Sequence, residues 1–139
     1  MVDKILLLKK FNSLNYHINR AAKYQHLSCE DFQSNEDAQD IVAHNLFIAI
    51  QLLIDIMTHT IADDKLGEIA FVSDAADILY KEKIISKEER EKLVKIIGFR
   101  NVIAHQYAEI SIEVLYRILE KDIEDLKQIA NRIATYAGV

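Results

Sequence analysis

The chain contains no proline and only three glycines among its 139 residues. Proline breaks helices and glycine marks turns, so a chain this poor in both has few irregular stretches. Half of its residues are hydrophobic, and its length is that of one domain with a sizeable core. We therefore expect a single helical domain covering residues 1–139.

Cysteine is nearly absent as well. Cys29 stands alone, so the chain can form neither an internal disulfide nor a cysteine-based metal cluster. The first residues lack the layout of a signal peptide, and no uncharged run approaches the roughly eighteen residues of a membrane span. We expect a soluble cytoplasmic protein without a membrane segment.

The short motifs of several enzyme classes are also missing. The sequence has no glycine-rich phosphate loop, no zinc-ligand spacing and no Gly-x-Ser-x-Gly elbow. Support for P-loop enzymes, zinc proteins and serine hydrolases is therefore removed. We expect neither a cofactor nor a metal.

The net charge of -5 argues against a general nucleic-acid coat, but the charges are unevenly spread. Residues 1–26 carry five basic groups and one acidic group, whereas residues 27–80 carry one and eleven. Residues 81–100 carry seven basic and four acidic groups. This distribution leaves room for a local groove that takes a short stretch of RNA, although scattered solubilising lysines explain it equally well.

Hydrophobic residues recur at steps of three and four, which is typical of amphipathic helices. The predicted helices span residues 4–26, 34–62, 73–81, 86–107 and 111–137. We expect an all-α, up-and-down four-helix bundle with one short additional helix.

Capping residues support these boundaries. Capping boxes are predicted at Ser34 with Asp37 and at Ser86 with Glu89, and single caps at Ser73 and Ser111. Two glycines have predicted roles: Gly67 ends the second helix, and Gly98 permits a close approach by another helix or a ligand. His17 and His26 flank the apolar stripe of the first helix and are predicted at the surface.

The second predicted helix carries a polar stripe opposite its apolar face. Its members are Asp40, His44, Gln51, Asp55 and His59. Each histidine follows an aspartate by four residues, which suits metal-ligand pairs or histidine-carboxylate orienting pairs. The stripe lacks the Glu-x-x-His repeats of a di-iron bundle, so a metal site is disfavoured. A solvent face, a polar dimer seam and a site lining remain open.

The strongest chemical signal lies at the end of the fourth predicted helix, in Arg100, Asn101, His105 and Tyr107. Asn101 and His105 are four residues apart and share a helix face, so the amide can hold the imidazole in one tautomer. Arg100 and His105 are about 140° apart around the helix. They meet only through the long arginine side chain or across to another helix or subunit, so one copy can be half a site.

An arginine that forks onto a phosphate beside a histidine that titrates near neutrality suits metal-free phosphodiester chemistry. The alternative is structural: an arginine paired with a helix carboxylate and a half-buried histidine donating to a backbone carbonyl. The spacing by itself leaves both interpretations open.

The string R-N-V-I-A-H-Q-Y resembles the R-x-x-x-x-H-x-Y signature of HEPN-domain proteins. Within them it is similar to the HepT-like toxins encoded beside MNT nucleotidyltransferase antitoxins. The likeness extends over nearly the whole chain in length and helical order. It includes polar residues on the second helix, namely Asn45, Gln51, Asp55 and His59.

This resemblance implies a HEPN-like fold and a metal-independent endoribonuclease toxin that cleaves tRNA or mRNA by attack of a ribose 2'-hydroxyl. Arg100 would hold the phosphate, His105 would act as general acid or base, and Asn101 would orient one of them. A homodimer would bring two motifs together across one cleft. The polar stripe would line that site or the dimer seam.

The resemblance also implies a partner, the MNT-type nucleotidyltransferase antitoxin, which transfers AMP to Tyr107 and silences the toxin. A tyrosine that packs at the helix end and hydrogen-bonds the histidine is the alternative. Two other functions also fit the sequence. One is a non-catalytic nucleotide- or partner-binding subunit of a nucleotidyltransferase complex, and the other is a dimeric bundle with an incidental motif.

Overall fold

The computed structural model describes residues 3–105 and 111–139, except for the side chains of Ala104 and His105. Helix α1 spans Lys4–Ala22. It begins where an Asp3 carboxylate oxygen accepts hydrogen bonds from the backbone N–H groups of Ile5 and Leu6, each at 3.1 Å. Its predicted apolar stripe is confirmed as the buried face, made of Leu7, Phe11, Leu14, Ile18 and Ala21.

A five-residue helix, α2, spans Cys29–Gln33 and precedes the long helix α3, Glu36–Asp63. The predicted cap of α3 at Ser34 is wrong. Asn35 caps it instead, its side-chain oxygen accepting from the Ala38 N–H at 3.0 Å. Ser34 is unavailable because its hydroxyl donates to the carbonyls of Glu30 and Asp31 and so closes α2.

Helix α3 is the central helix of the fold. By length and composition alone it could cross a membrane, but 56% of its most apolar window is buried inside the protein. The core helix of a soluble protein can have the same length and apolar composition. Its buried residues include Leu46, Ile50, Leu53 and Met57, and they lie on the predicted apolar face.

Helix α4 spans Val72–Lys81, and its predicted cap at Ser73 is wrong because Ser73 lies inside the helix. The Asp74 carboxylate holds the start instead, accepting from the N–H groups of Ala70 and Phe71 at 3.0 and 2.9 Å. The turn after α3 also differs from the prediction. Lys65, with φ of 54°, adopts the left-handed conformation, whereas Gly67 lies where a Cβ atom would be 3.0 Å from Ile78.

Helix α5 spans Lys87–His105. The predicted capping box is confirmed: the Ser86 N–H donates to Glu89 at 2.9 Å, and the Glu89 N–H donates to the Ser86 hydroxyl at 3.1 Å. Gly98 is exposed, and a Cβ atom there would meet nothing within 4 Å in the part of the chain that the structure describes. The close approach predicted at Gly98 is therefore not made by those residues.

The last predicted helix is divided. Helix α6 spans Ile112–Arg117, a π-helical segment spans Ile118–Asp122, and helix α7 spans Ile123–Ala137. Three residues of the π-helical segment are buried: Ile118, Leu119 and Asp122. Gly138, with φ of 75°, ends α7 in the left-handed conformation.

Cross-helix pairs give the helix directions. Lys10 meets Asp55 and His17 meets Asn45, so α1 and α3 are antiparallel. Glu89 meets Arg132 and Lys95 meets Asp122. Helix α5 is therefore antiparallel to the stretch formed by the π-helical segment and α7. The predicted all-α up-and-down bundle is confirmed, with α4 as the short additional helix and α2 as a further single turn.

Candidate ribonuclease site

Arg100 lies in the last part of α5, half-buried against α3. Its Nη1 donates to the side-chain oxygen of Gln51 at 3.3 Å. Its Nε is buried and has no hydrogen-bond partner among the residues that the structure describes. Among the described residues, the hydrogen-bond partner of this guanidinium is thus a neutral amide, and its positive charge is not cancelled by a carboxylate at that contact.

The contact continues across α3 toward α1. Gln51 donates from its side-chain nitrogen to the Asp55 carboxylate at 3.4 Å. The other Asp55 oxygen is 3.7 Å from the Lys10 ammonium. We call Lys10, Asp55, Gln51 and Arg100 the Arg100 network.

Local sequence and helix directions together explain this network. Gln51 and Asp55 are four residues apart, so they lie one above the other on the outer face of α3. Because α1 and α5 flank α3, a long side chain from each reaches over that face, Lys10 from one side and Arg100 from the other. The polar stripe therefore lies in part between two cations.

Other predicted site residues fall at or beyond the edge of the described structure. Asn101 is exposed beside Arg100. The backbone of α5 reaches His105, but the side chain of His105 and the whole of Tyr107 lie outside the described residues. The predicted pairing of Asn101 with His105, the break after Tyr107 and the role of Tyr107 remain predictions.

The polar stripe contains two histidines, His44 and His59, and both are exposed. Neither has a side-chain hydrogen bond to any residue in the described ranges, and Asp55 is engaged by Gln51 and Lys10 rather than by His59. The structure thus gathers Gln51 and Asp55 beside Arg100 and leaves both histidines at the surface. Among the side chains that the structure describes, which exclude that of His105, no three His, Cys, Asp or Glu residues are grouped to hold a metal ion.

The prediction that His17 lies at the surface is wrong. His17 is half-buried, and its Nδ1 is 2.7 Å from the side-chain oxygen of Asn45, which is only 2% exposed. The Asn45 nitrogen donates to the Ile41 carbonyl at 2.7 Å, which turns the amide oxygen toward His17. Since that oxygen can only accept, Nδ1 carries the proton in this contact. His26, by contrast, is exposed as predicted.

Much of the positive charge on α5 is paired. Arg90 bonds to Asp77 at 2.6 Å, Lys92 lies 3.1 Å from Asp125, and Lys95 lies 3.7 Å from Asp122. Burial raises the pKa of the Asp122 carboxyl, and the Lys95 charge offsets only part of that rise. The basic excess predicted on the segment leading to Arg100 is therefore largely neutralised by carboxylates of α4, the π-helical segment and α7.

Residues 14–133 match the sequence profile of the family described as ribonuclease HepT-like. The chain belongs to the HepT-like ribonuclease family. The family resemblance carried by residues 100–107 is thereby confirmed, and the matched region contains three members of the Arg100 network: Gln51, Asp55 and Arg100.

Two relatives carry the same family name. The mRNA nuclease HepT of Shewanella oneidensis is 26% identical over 102 residues, which is 73% of this chain and 77% of the relative. The tRNA nuclease HepT of Aphanizomenon flos-aquae is 20% identical over 135 residues, which is 97% of this chain and 92% of the relative.

The fold is also similar to a solved structure, the tri-AMPylated HEPN toxin of Shewanella oneidensis in complex with MNT antitoxin. The TM-score is 0.83 at 24% identity, and the match covers 97% of this chain and 99% of that one. At this identity the comparison establishes the fold that the HepT-like chains share.

Sequence reasoning missed Lys10 as a neighbour of the site. The available signal was its position three residues after the buried Leu7 and one before the buried Phe11, which places it at the edge of the apolar stripe of α1. That position shows where a lysine can reach a neighbouring helix. It does not show which carboxylate it meets.

Proposed function

We propose that this protein is a metal-independent endoribonuclease toxin whose reaction centre is formed by Arg100 and His105. The observation that carries the proposal is the arginine itself. Arg100 lies at the first position of the family motif, half-buried, and its hydrogen-bond partner in the described part of the chain is a neutral amide. The positive charge of such a guanidinium is available to an anion, and its N–H groups can donate hydrogen bonds to two phosphate oxygens.

In the proposed reaction the ribose 2'-oxygen attacks the neighbouring phosphorus and the bond from phosphorus to the 5'-oxygen breaks. The products are a 2',3'-cyclic phosphate and a free 5'-hydroxyl. His105 takes the 2'-hydroxyl proton or delivers a proton to the leaving oxygen. Arg100 stabilises the charge that develops on the phosphoryl oxygens, and Asn101 orients His105 or a phosphate oxygen. RNA is cleaved and DNA is not, because DNA lacks the 2'-hydroxyl.

The substrate class proposed is RNA, tRNA or mRNA, as the names of the two HepT relatives suggest. Two geometric facts favour a homodimer as the active form. Arg100 and His105 are about 140° apart on one helix, and Asn101 beside them is exposed. A second copy facing the first would complete each site with its own motif.

The proposed regulator is an MNT-type nucleotidyltransferase antitoxin that transfers AMP to Tyr107. Support comes from the similar toxin structure, which is AMPylated and bound to MNT antitoxin. The physical reason is charge: an AMP phosphate attached seven residues after Arg100 would compete for the guanidinium that binds the substrate phosphate.

The test is incubation of the purified protein with total RNA in EDTA, with cyclic-phosphate ends mapped by sequencing. Intact mass first excludes protein that carries AMP. We expect discrete cleavage by the parent and none by Arg100→Ala or His105→Ala. His26→Ala is the matched control, because His26 is an exposed histidine outside both the Arg100 network and the polar stripe, and it should cleave normally.

Absence of cleavage by unmodified parent protein would overturn the proposal and favour the non-catalytic binding subunit. Cleavage that survives both Arg100→Ala and His105→Ala would overturn the residue assignment while leaving the ribonuclease activity in place.

A further inference from the structure

We infer that Lys10, on the first helix, is a positioning residue for Arg100 and acts through Asp55 and Gln51. The inference rests on the proposed function of Arg100 as the phosphate-binding group. No part of the family motif lies near Lys10 in the sequence, and the connection exists only because α1, α3 and α5 meet on one face of the bundle.

The first step of the argument is the direction of the Gln51 amide. Its nitrogen faces the Asp55 carboxylate at 3.4 Å, and its oxygen faces Arg100 at 3.3 Å. An amide turned the other way would place its N–H groups against the guanidinium, where donor would meet donor. The carboxylate of Asp55 therefore sets the acceptor end of Gln51 toward Arg100.

The second step concerns the carboxylate. Asp55 lies one helical turn from Gln51, and its side chain is 41% exposed, so it has room to change rotamer. Lys10 is the cation that holds it on the α1 side, with an ammonium-to-carboxylate distance of 3.7 Å and a side chain only 22% exposed. Arg100 is linked to Asp55 through the Gln51 amide, so it is the cation toward which a carboxylate released by Lys10 would turn.

The consequence is electrostatic. A carboxylate that turns from Lys10 to Arg100 would form an ion pair with the guanidinium and occupy the donors that a substrate phosphate needs. Lys10 thus keeps Asp55 available to orient Gln51 and away from Arg100. The same lysine could instead contact the RNA backbone itself, and the experiment separates these two roles.

The experiment measures kcat/KM for RNA cleavage and the Kd for a non-cleavable 2'-O-methyl oligoribonucleotide, using the full-length protein. The variants are Lys10→Met, Lys10→Met with Asp55→Asn, Lys10→Arg and Lys9→Met. Lys9 is the matched control because it is exposed and forms no ion pair with any residue in the described ranges. Thermal unfolding of every variant identifies any loss caused by misfolding.

We expect Lys10→Met to lower kcat/KM about tenfold, which corresponds to ~1.4 kcal/mol. Adding Asp55→Asn should restore most of the loss, because a neutral amide cannot neutralise Arg100. Lys10→Arg, which keeps the ion pair, and Lys9→Met should both behave like the parent.

A loss that Asp55→Asn does not restore, accompanied by a weaker Kd and a flatter salt dependence, would assign Lys10 to direct RNA binding and overturn the inference. Undiminished cleavage by Lys10→Met would overturn it as well. In either case cleavage by the parent and its loss in Arg100→Ala would leave the proposed function standing.

If the parent itself cleaves nothing, the proposed function fails and a second readout decides the inference. The Nε–Hε NMR signal of Arg100 should shift in Lys10→Met and return in the double variant. An unchanged signal in Lys10→Met would overturn the inference independently of activity.

Discussion

The contact between Gln51 and Arg100 allows the charge of the guanidinium to be changed without removing the arginine. Gln51→Glu places a carboxylate oxygen where the amide oxygen now lies, 3.3 Å from Nη1. Two unit charges about 4 Å apart attract by about 4 kcal/mol at an effective dielectric constant of about 20. Water at this half-buried site reduces that figure, and so does the Asp55 carboxylate, which would face the second oxygen of the new carboxylate. Hydrogen bonds to charged groups are typically worth about 1.5–3 kcal/mol.

Arg100 must break its ion pair with that carboxylate before it can bind the substrate phosphate. The free energy needed to break the pair therefore lowers kcat/KM. We expect Gln51→Glu to lower kcat/KM about 10- to 100-fold, since every ~1.4 kcal/mol is a factor of ten. The assay is RNA cleavage followed through cyclic-phosphate ends, with thermal unfolding to verify the fold.

Two matched variants isolate the charge. Gln51→Met has a similar length but no charge, and it should lose less than about fivefold because only two long hydrogen bonds are removed, one from Arg100 and one to Asp55. Gln128→Glu makes the same substitution on the exposed face of α7 and should cleave like the parent. If Gln51→Glu cleaves normally while Gln51→Met is impaired, the charge of Arg100 is not what handles the phosphate.

Two further predictions concern stability. Burial raises the pKa of Asp122, so the folded chain holds this proton more tightly than the unfolded chain, and stability should fall as pH rises from the ordinary carboxyl pKa through the raised one. Asp122→Asn should remove this slope in urea midpoints measured across that range, and an unchanged slope would contradict the burial argument. Ser86→Ala should cost about 1 kcal/mol of unfolding free energy by removing the cap of α5. Ser73→Ala, inside α4, should change it by less than about 0.5 kcal/mol, and an equal loss in both variants would contradict the assignment of Ser86 as the cap.

Much of the fold follows from local pattern. The apolar stripe of α1, the buried face of α3 and the capping box of α5 were all predictable, because each depends on residues within one or two turns of each other. The family followed from a short motif together with the helical order of the chain.

Where two neighbouring residues can each cap the same helix, the sequence alone does not decide which of them does. Ser34 and Asn35 are both good helix caps, and in the structure the Ser34 hydroxyl donates to the carbonyls of α2, which leaves Asn35 to cap α3. Ser73 is a similar case, because the start of α4 is held by a different residue. The Asp74 carboxylate accepts from two backbone N–H groups, and Ser73 lies inside the helix. The π segment at Ile118–Asp122 likewise has no local signature in the sequence.

The sequence by itself determined that the chain forms amphipathic helices and that Arg100 carries the family motif, because both depend on spacing along one helix. Only the tertiary structure decided what surrounds that arginine. Lys10 and Gln51 are forty-one residues apart in the chain, yet they belong to one network because α1 and α5 both pack against α3. A contact between helices depends on their direction and rotation, which the periodicity of each helix does not specify.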